Sequence, residues 1–198
     1  GERDVRIGVY VCRCGGNISD VVDVPAVVEA IRNEPGVVVA KELMFTCSDA
    51  SQKEIEEDIK RHNLTGVVVA SCSPKLHEMT FRNTVTRAGL NPYMYYHANI
   101  REHVSWAHPD DPEEATRKAI RHVKAAIAYV RLARPLEKIK VKSTPSVLVI
   151  GGGVAGLRAA LDLSQMRISV YLVEKSPFIG GRTAQLDKVY PYGKKGRE

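Results

Sequence analysis

Short β-branched runs alternate with stretches of helical periodicity along the first half of the chain. The apolar runs predict four strands, over residues 5–11, 37–45, 66–70 and 92–97. The stretches between them predict helices over residues 24–32, 51–62 and 74–88, which begin near capping Asp or Ser residues and end near Gly or Pro. Because strands that alternate with helices form right-handed crossovers, we expect an α/β fold with a parallel sheet and flanking helices.

A long helix and a second α/β unit follow. Residues 110–134 predict one helix with a buried apolar stripe formed by Ile120, Val123, Ile127 and Val130. Residues 135–145 are rich in Lys and Pro and predict a linker. A strand at 146–150, a helix at 157–163 and a strand at 168–173 predict an incomplete Rossmann-like unit. The pattern therefore predicts two domains, 1–134 and 146–198, joined by the linker.

All four cysteines lie in short loops or turns that follow predicted strands. Cys12 and Cys14 follow the first strand, Cys47 the second and Cys72 the third. The carboxyl ends of parallel strands meet at one edge of a sheet, so we expect the four sulfurs to converge there. The positive end of the helix after each loop would stabilise thiolates. Four converging thiols predict a metal centre, and an iron–sulfur cluster of the [4Fe–4S] type is favoured.

The cysteine spacing alone leaves other interpretations open. It is neither the close run of a ferredoxin nor the paired knuckles of a zinc ribbon. A structural zinc ion, a thiol/disulfide redox protein in which Cys12 or Cys14 cycles, and a non-catalytic interaction module with buried cysteines all remain as alternatives. His77, near Cys72, and His97, at the end of the fourth predicted strand, are weaker candidate ligands. For His77, a place on the helix surface or at the helix cap is favoured.

A dinucleotide-binding fingerprint joins the first strand and helix of the second domain. Residues 151–156 read Gly-Gly-Gly-Val-Ala-Gly, and an acidic residue, Glu174, ends the next predicted strand. The glycines permit a tight turn close to a pyrophosphate, and the acid binds ribose hydroxyl groups. A Gly-Gly-Arg sequence soon after the acid favours FAD over a nicotinamide. The candidate FAD-binding residues are Gly151, Gly153, Val154, Ala155, Gly156, Glu174, Lys175, Gly181 and Arg182.

Composition and charge narrow the class of protein. The chain of 198 residues is 44% hydrophobic and 26% charged, as in a globular protein. No apolar run approaches the roughly 18 residues needed to cross a bilayer, and no apolar signal region opens the chain, so we expect a cytoplasmic protein. The net charge of +6 is concentrated in residues 117–142 and 194–197. We interpret these residues as a solvated helix face, a basic linker and a basic tail, and expect no nucleic-acid binding.

Taken together, these motifs resemble the amino-terminal part of the A subunit of heterodisulfide reductase. The segments that carry the resemblance are VCRCGGNI at 11–18, FTCSDASQ at 45–52, ASCSPKLHE at 70–78, VIGGGVAGL at 149–157 and residues 173–188. The resemblance covers nearly the whole chain. It implies that Cys12, Cys14, Cys47 and Cys72 belong to an iron–sulfur domain, and that Gly151, Gly153, Gly156 and Glu174 bind FAD.

The resemblance also implies a function and partners. Members of this family are iron–sulfur flavoproteins whose complex reduces the disulfide of coenzyme M and coenzyme B in methanogenesis, with FAD splitting electron pairs between two paths. The implied partners are the other subunits, including iron–sulfur electron carriers and a hydrogenase or another electron donor. Family members continue beyond residues 187–188 with further cysteines and the rest of the FAD domain. We therefore expect an oxidoreductase subunit that is not catalytically competent alone, and whose unfinished sheet favours self-association or partner docking.

Overall fold

The computed structural model describes residues 4–191 and 193–196. The chain divides into two compact units, Gly1–Lys138 and Ile139–Glu198. The first unit contains the cysteines and the second contains the glycine-rich fingerprint.

A four-stranded parallel sheet forms the centre of the first unit, which confirms the predicted α/β fold. Its strands are β1 (Ile7–Cys12), β2 (Val37–Leu43), β3 (Gly66–Ser71) and β4 (Tyr95–Asn99). Their order in the sheet is β2-β1-β3-β4, and every neighbouring pair is parallel. The order reverses between β1 and β3, which is where doubly wound sheets open a crevice at the carboxyl ends of the strands.

Four helices cover the two faces of this sheet. They are α1 (Val24–Ile31), α2 (Asp49–Arg61), α3 (Pro74–Arg87) and α4 (Pro112–Leu132), and a short π-helical turn, Arg101–Ser105, follows β4. Asp23, Ser48, Ser73 and Asp111 cap the four helices by accepting a backbone N–H group near the start of each. The Asp and Ser caps expected near the starts of these helices are therefore observed.

The core of the first unit is divided by the sheet. Helices α1 and α4 pack on one face and α2 and α3 on the other. Val123, Ile127 and Val130 of the predicted stripe are buried on α4, whereas Ile120 is only partly buried. Much of the remaining contact surface consists of small residues that an apolar pattern does not reveal, namely Ala115, Ala119 and Ala126. Small side chains let α4 lie close to the strands.

Two details of the first unit differ from the sequence prediction. Cys12 is the last residue of β1 and does not lie in the following loop. The fourth strand begins at Tyr95, because the Asn91 side chain accepts the N–H of Tyr93 and holds a turn there. This places His97 in the middle of β4, so the prediction that it ends the strand was wrong.

The basic surface of α4 is partly neutralised by acidic side chains. Arg117 pairs with Glu113 and Glu114, and Lys124 pairs with Glu34 at 2.8 Å. Exposed pairs of this kind contribute little to stability. In the described part of the chain, no helix is both long and apolar enough to cross a membrane.

The second unit contains a strand–helix–strand motif. Strands β5 (Ser146–Ile150) and β6 (Ser169–Val173) are parallel neighbours, joined by α5 (Val154–Gln165). The helix begins directly after Gly153, earlier than the predicted residue 157. The strands leave large apolar side chains exposed, with Ile150 81% accessible. This unit has the Rossmann-like arrangement that the sequence predicts, with little core of its own among the described residues.

Candidate metal centre and candidate dinucleotide site

The four cysteines lie at the carboxyl edge of three adjacent strands. Cys12 ends β1, Cys14 lies in the turn that follows, Cys47 precedes α2 and Cys72 precedes α3. Because the strands run parallel in the order β2-β1-β3, the cysteine-bearing segments after β1 and β3 flank the position where the strand order reverses, and the segment after β2 lies next to that of β1. All four thiols are free.

Backbone N–H groups from two loops, the turn after β1 and the loop after β2, point toward the sulfur of Cys12. Cys12 Sγ accepts the N–H of Cys14 at 3.3 Å and that of Thr46 at 3.4 Å. Cys14, Gly15 and Gly16 all have positive φ angles, of 55°, 57° and 103°. Glycine adopts positive φ angles without steric cost, so Gly15 and Gly16 permit the tight turn that places the Cys14 N–H beside the Cys12 sulfur. The turn therefore suits a thiolate.

An aromatic contact ties the Cys14 turn to the Cys47 loop. A Cβ atom on Gly15 would lie 2.6 Å from Cζ of Phe45, so the Phe45 ring lies directly against the turn and would have to shift if a side chain were added there. Phe45 is two residues before Cys47. The packing thus fixes the position of one cysteine-bearing segment relative to another.

Arg101 provides a cation that sequence analysis missed. Its Nη1 donates to Cys14 Sγ at 3.1 Å, and its Nη2 donates to Glu102 Oε1 at 2.9 Å. Burial opposes the charged form, but the hydrogen bonds to Glu102 and Cys14 raise the pKa of Arg101, so it stays protonated. The signal in the sequence was its place just after β4, at the same sheet edge as the cysteines.

The thiols and Arg101 lie close enough to influence each other electrostatically. Burial raises the pKa of Cys47, and negative charge on Cys12 raises it further. Burial also raises the pKa of Cys72, whereas the charge of Arg101 opposes this shift. Metal binding at these thiols would therefore displace protons.

His97 supports the Cys72 loop and does not present a free ring nitrogen at the sheet edge. Its Nε2 lies 2.7 Å from the Cys72 carbonyl oxygen and its Nδ1 lies 2.6 Å from the Tyr95 hydroxyl group. A carbonyl only accepts, so Nε2 carries the proton and Nδ1 accepts from Tyr95. Burial lowers the pKa of His97 to about 4, which keeps the ring neutral. The other weak candidate, His77, contacts the hydroxyl of Thr80.

In the second unit, the fingerprint forms a closed glycine loop. Gly151 has a φ angle of 104°, and a Cβ atom on Gly156 would overlap the Gly151 carbonyl oxygen. Side chains at these two positions are therefore excluded by backbone conformation and by the close approach of α5. A Cβ atom on Gly153 would meet no atom within 4 Å, which leaves open space beside the start of α5. Val154 and Ala155 form the first turn of that helix.

Glu174 and the later glycines pack against this loop. Glu174 accepts the N–H of Gly152 at 2.6 Å and that of Ser176 at 2.8 Å. The backbone N–H groups of Ser176 and Gly152 lower the pKa of Glu174, so the carboxylate is ionised. A Cβ atom on Gly181 would lie 3.2 Å from Gly153 Cα, so this segment also adjoins the loop.

The remaining predicted residues lie beside the loop without holding it. Lys175 follows Glu174, and Arg182 follows Gly181. Within residues 4–191 and 193–196, neither side chain forms a hydrogen bond with the glycine loop. An apolar cavity of about 820 Å³ lies against α5, lined in part by Val154, Leu157, Phe178, Ile179 and Thr183. Sequence analysis did not anticipate this apolar lining.

Comparison with known proteins adds independent evidence. Residues 146–192 match the family model described as FAD dependent oxidoreductase. The second iron-sulfur A subunit of CoB–CoM heterodisulfide reductase from Methanopyrus kandleri is 56% identical over 96% of this chain and 29% of its own length. The A subunit of the H(2):CoB-CoM heterodisulfide,ferredoxin reductase of Methanothermobacter marburgensis is 55% identical over 94% of this chain and 28% of its own length. The chain is a homologue of the heterodisulfide reductase A subunit.

The homology extends to a protein with a less specific name. A protein of Archaeoglobus profundus, described as similar to the heterodisulfide reductase A subunit, is 47% identical over 96% of this chain and 27% of its own length. This heterodisulfide reductase A homologue thus spans less than a third of the length of the curated relatives that it matches. The resemblance inferred from the cysteine and glycine motifs is confirmed.

The chemistry of the donor set in this heterodisulfide reductase A homologue is that of thiolate ligands. Four thiols on three loops, with N–H and guanidinium donors beside two of them, are groups that can hold an iron–sulfur cluster. Among the described residues, no group of three or more His, Cys, Asp or Glu side chains is arranged to hold a metal ion. The glycine loop likewise suits a dinucleotide, since it combines a helix N-terminus with an ionised acid.

Proposed function

We propose that this chain is an electron-transfer module of a heterodisulfide reductase-like complex, with an iron–sulfur cluster in the first unit and FAD at the second. The observation that carries the proposal is the placement of Cys12, Cys14, Cys47 and Cys72 at the carboxyl edge of three adjacent parallel strands. The homology to the heterodisulfide reductase A subunit and the match to FAD dependent oxidoreductases support it.

In the first unit, the four thiolates would hold a [4Fe–4S] cluster, which supplies one-electron transfer when bound. The N–H groups of Cys14 and Thr46 already lie 3.3 Å and 3.4 Å from Cys12 Sγ. These hydrogen bonds stabilise negative charge on the sulfur. We assign no acid–base or nucleophilic role to any residue of this unit.

In the second unit, the glycine loop and the N-terminus of α5 would bind the pyrophosphate of FAD, and Glu174 would accept hydrogen bonds from a ribose. FAD supplies the interchange between two-electron and one-electron transfer when bound. The N–H of Gly152 holds the Glu174 carboxylate beside the loop at 2.6 Å. That contact fixes the acid before any ligand arrives, which lowers the cost of ordering it.

The role in a complex follows from the relatives. Their names assign them to heterodisulfide reductases, including a form named as a ferredoxin/F(420)H(2)-dependent reductase. We infer that this chain passes electrons to or from FAD within such a complex, with iron–sulfur carriers and a hydrogenase or another donor as partners. Electron bifurcation would require the complete assembly, and this chain alone would not reduce the disulfide.

The test is iron and acid-labile sulfide content, with a visible spectrum, on protein purified without oxygen. We expect the iron-to-sulfide ratio of a [4Fe–4S] cluster in the wild type and its loss in Cys47→Ser. Met44→Leu is the matched control, because it changes an exposed sulfur-containing side chain in the same loop. Colourless protein without iron, even after reconstitution, would reject the cluster and favour thiol redox chemistry.

A further inference from the structure

We propose that Arg101 and Glu102 form a charge pair that sets the reduction potential of the metal centre. This inference rests on the proposed function, because it requires the cluster. Arg101 raises the reduction potential because its positive charge stabilises the additional negative charge of the reduced state. Glu102 limits that effect because its negative charge opposes the charge of Arg101.

The guanidinium group of Arg101 reaches the thiol cluster from a distant part of the chain. Arg101 follows β4, whereas its sulfur partner Cys14 follows β1, and Nη1 lies 3.1 Å from Cys14 Sγ. The Arg101 side chain is only 15% exposed. A charge-assisted hydrogen bond in such a place is stronger than one at the surface, because water screens it less.

Glu102 is placed to modulate this cation. Its Oε1 accepts from Arg101 Nη2 at 2.9 Å, and its backbone N–H donates to Asn99 Oδ1 at 3.0 Å. The carboxylate therefore pairs with a different guanidinium nitrogen from the one that contacts Cys14. Its charge opposes that of Arg101. Because Arg101 donates directly to Cys14 Sγ, we expect its positive charge to outweigh the negative charge of Glu102 at the sulfur.

Two further contacts hold the pair rigid. The guanidinium carbon of Arg101 lies 4.6 Å from the centre of the Trp106 ring. The Ser105 hydroxyl group donates to the Asn17 carbonyl oxygen at 2.7 Å, which ties the turn after β4 to the turn that carries Cys14. A charge fixed in this way acts without reorganising when an electron arrives.

The pair also retains hydrogen-bonding capacity. Arg101 Nε and Glu102 Oε2 are buried and have no hydrogen-bond partner within the described structure. Buried polar atoms are seldom left unpaired unless the site has a further role. A donor at Nε, on the same guanidinium group as the sulfur-bonded Nη1, is suited to a second thiolate or a cluster sulfide.

The experiment is a redox titration of the full chain, purified without oxygen, followed by the electron paramagnetic resonance signal of the reduced cluster. Iron and sulfide are measured on every sample. We expect Arg101→Gln to lower the equilibrium constant for one-electron reduction at least tenfold, equivalent to 59 mV. Arg101→Lys retains the charge and should stay closer to the wild type than Arg101→Gln does. Glu102→Gln should shift the potential in the opposite direction, upward.

Arg13→Gln is the matched control. Arg13 lies between Cys12 and Cys14 in sequence, but its side chain is 35% exposed and pairs with Glu42 at 2.9 Å. Arg13→Gln therefore removes the same charge as Arg101→Gln without removing a hydrogen bond to sulfur. Because solvent and salt screen exposed charges, we expect little change in potential.

The outcomes separate this inference from the proposed function. Wild-type protein without iron would reject the proposed function itself. If the wild type, Arg101→Gln and Glu102→Gln all contain the cluster and have the same reduction potential, the inference is overturned and the proposed function stays intact. If Arg101→Gln fails to load, Glu102→Gln decides, since an upward shift supports the inference and an unchanged potential refutes it.

Discussion

Replacing His97 with Phe tests how the fold holds the loop that carries Cys72. His97 is only 8% exposed, and its ring packs edge-on against Phe81 with centroids 5.5 Å apart. Phe fills a similar space, so His97→Phe should keep this packing. What it removes are the polar contacts of both ring nitrogens, with the Cys72 carbonyl and the Tyr95 hydroxyl group.

The expected cost follows from those two contacts. Each buried group left without its partner costs about 1–3 kcal/mol, so His97→Phe should lower the free energy of unfolding by about 2–6 kcal/mol. The contact of the Ser71 hydroxyl group with Nε2, at 2.8 Å, would also be lost. Because Nε2 carries the proton, the Ser71 oxygen can only accept from it, and the hydroxyl hydrogen stays free to donate elsewhere, so this contact adds no further cost.

Urea unfolding followed by tryptophan fluorescence measures this cost. Trp106 is the single tryptophan of the chain and lies in the first unit, so its emission follows that unit alone. Tyr96→Phe is the matched control, because Tyr96 is the adjacent residue, 40% exposed, and should change stability by about 0.5 kcal/mol or less. A cost below about 1 kcal/mol for His97→Phe would refute the reasoning, because it would mean that neither contact matters.

Three further predictions follow from other contacts and from pH. Burial lowers the pKa of His97 to about 4, whereas an unfolded His has a pKa of about 6.5, so the unfolded chain binds more protons between these two pH values. The free energy of unfolding should therefore rise with pH across this window, by about 3 kcal/mol. Urea titrations should show this rise for the wild type but not for His97→Phe. Gly156→Ala would stabilise an open helix by about 1 kcal/mol. Here the new Cβ overlaps the Gly151 carbonyl oxygen, so the variant should retain less flavin than the wild type after reconstitution with FAD. An equal amount of flavin would contradict the close approach of the two glycines. Gly66→Ala should destabilise the first unit by about 1–3 kcal/mol in urea titrations, because the added Cβ overlaps Val130 of α4, and unchanged stability would show that the helix can move away.

The arrangement of strands and helices was predictable mainly because the two central strands, β1 and β3, are buried along their whole length. Such strands show as short continuous apolar runs, as in Val67–Val69 of β3. The alanine contacts of α4 were not predictable, since Ala is equally common on exposed helix faces. The late start of β4 depends on a hydrogen bond to the Asn91 side chain, which the sequence pattern does not reveal. Because β4 starts late, His97 lies in the middle of the strand and not at its end.

The candidate sites were predictable to the extent that they depend on strand order. Cys47 and Cys72 could be placed beside Cys12 because parallel strands end at one edge. Arg101 could not, because its role depends on the reach of a long side chain between two turns far apart in the sequence. Nor does any sequence pattern indicate that both ring nitrogens of His97 are used within the protein.

The distribution of the cysteines among three strands also bears on how the protein would mature. Cys12 and Cys14 supply only half of the proposed ligand set, and the other half reaches them through strands that two helical crossovers place alongside β1. The proposed ligand set is therefore complete only when the sheet has assembled, and a cluster inserted after that point would meet a folded site. Such an order would be opposite to that of a zinc finger, in which the metal drives folding. Cells starved of iron would then accumulate a folded, metal-free form with its thiols gathered at the sheet edge and ready to receive a cluster.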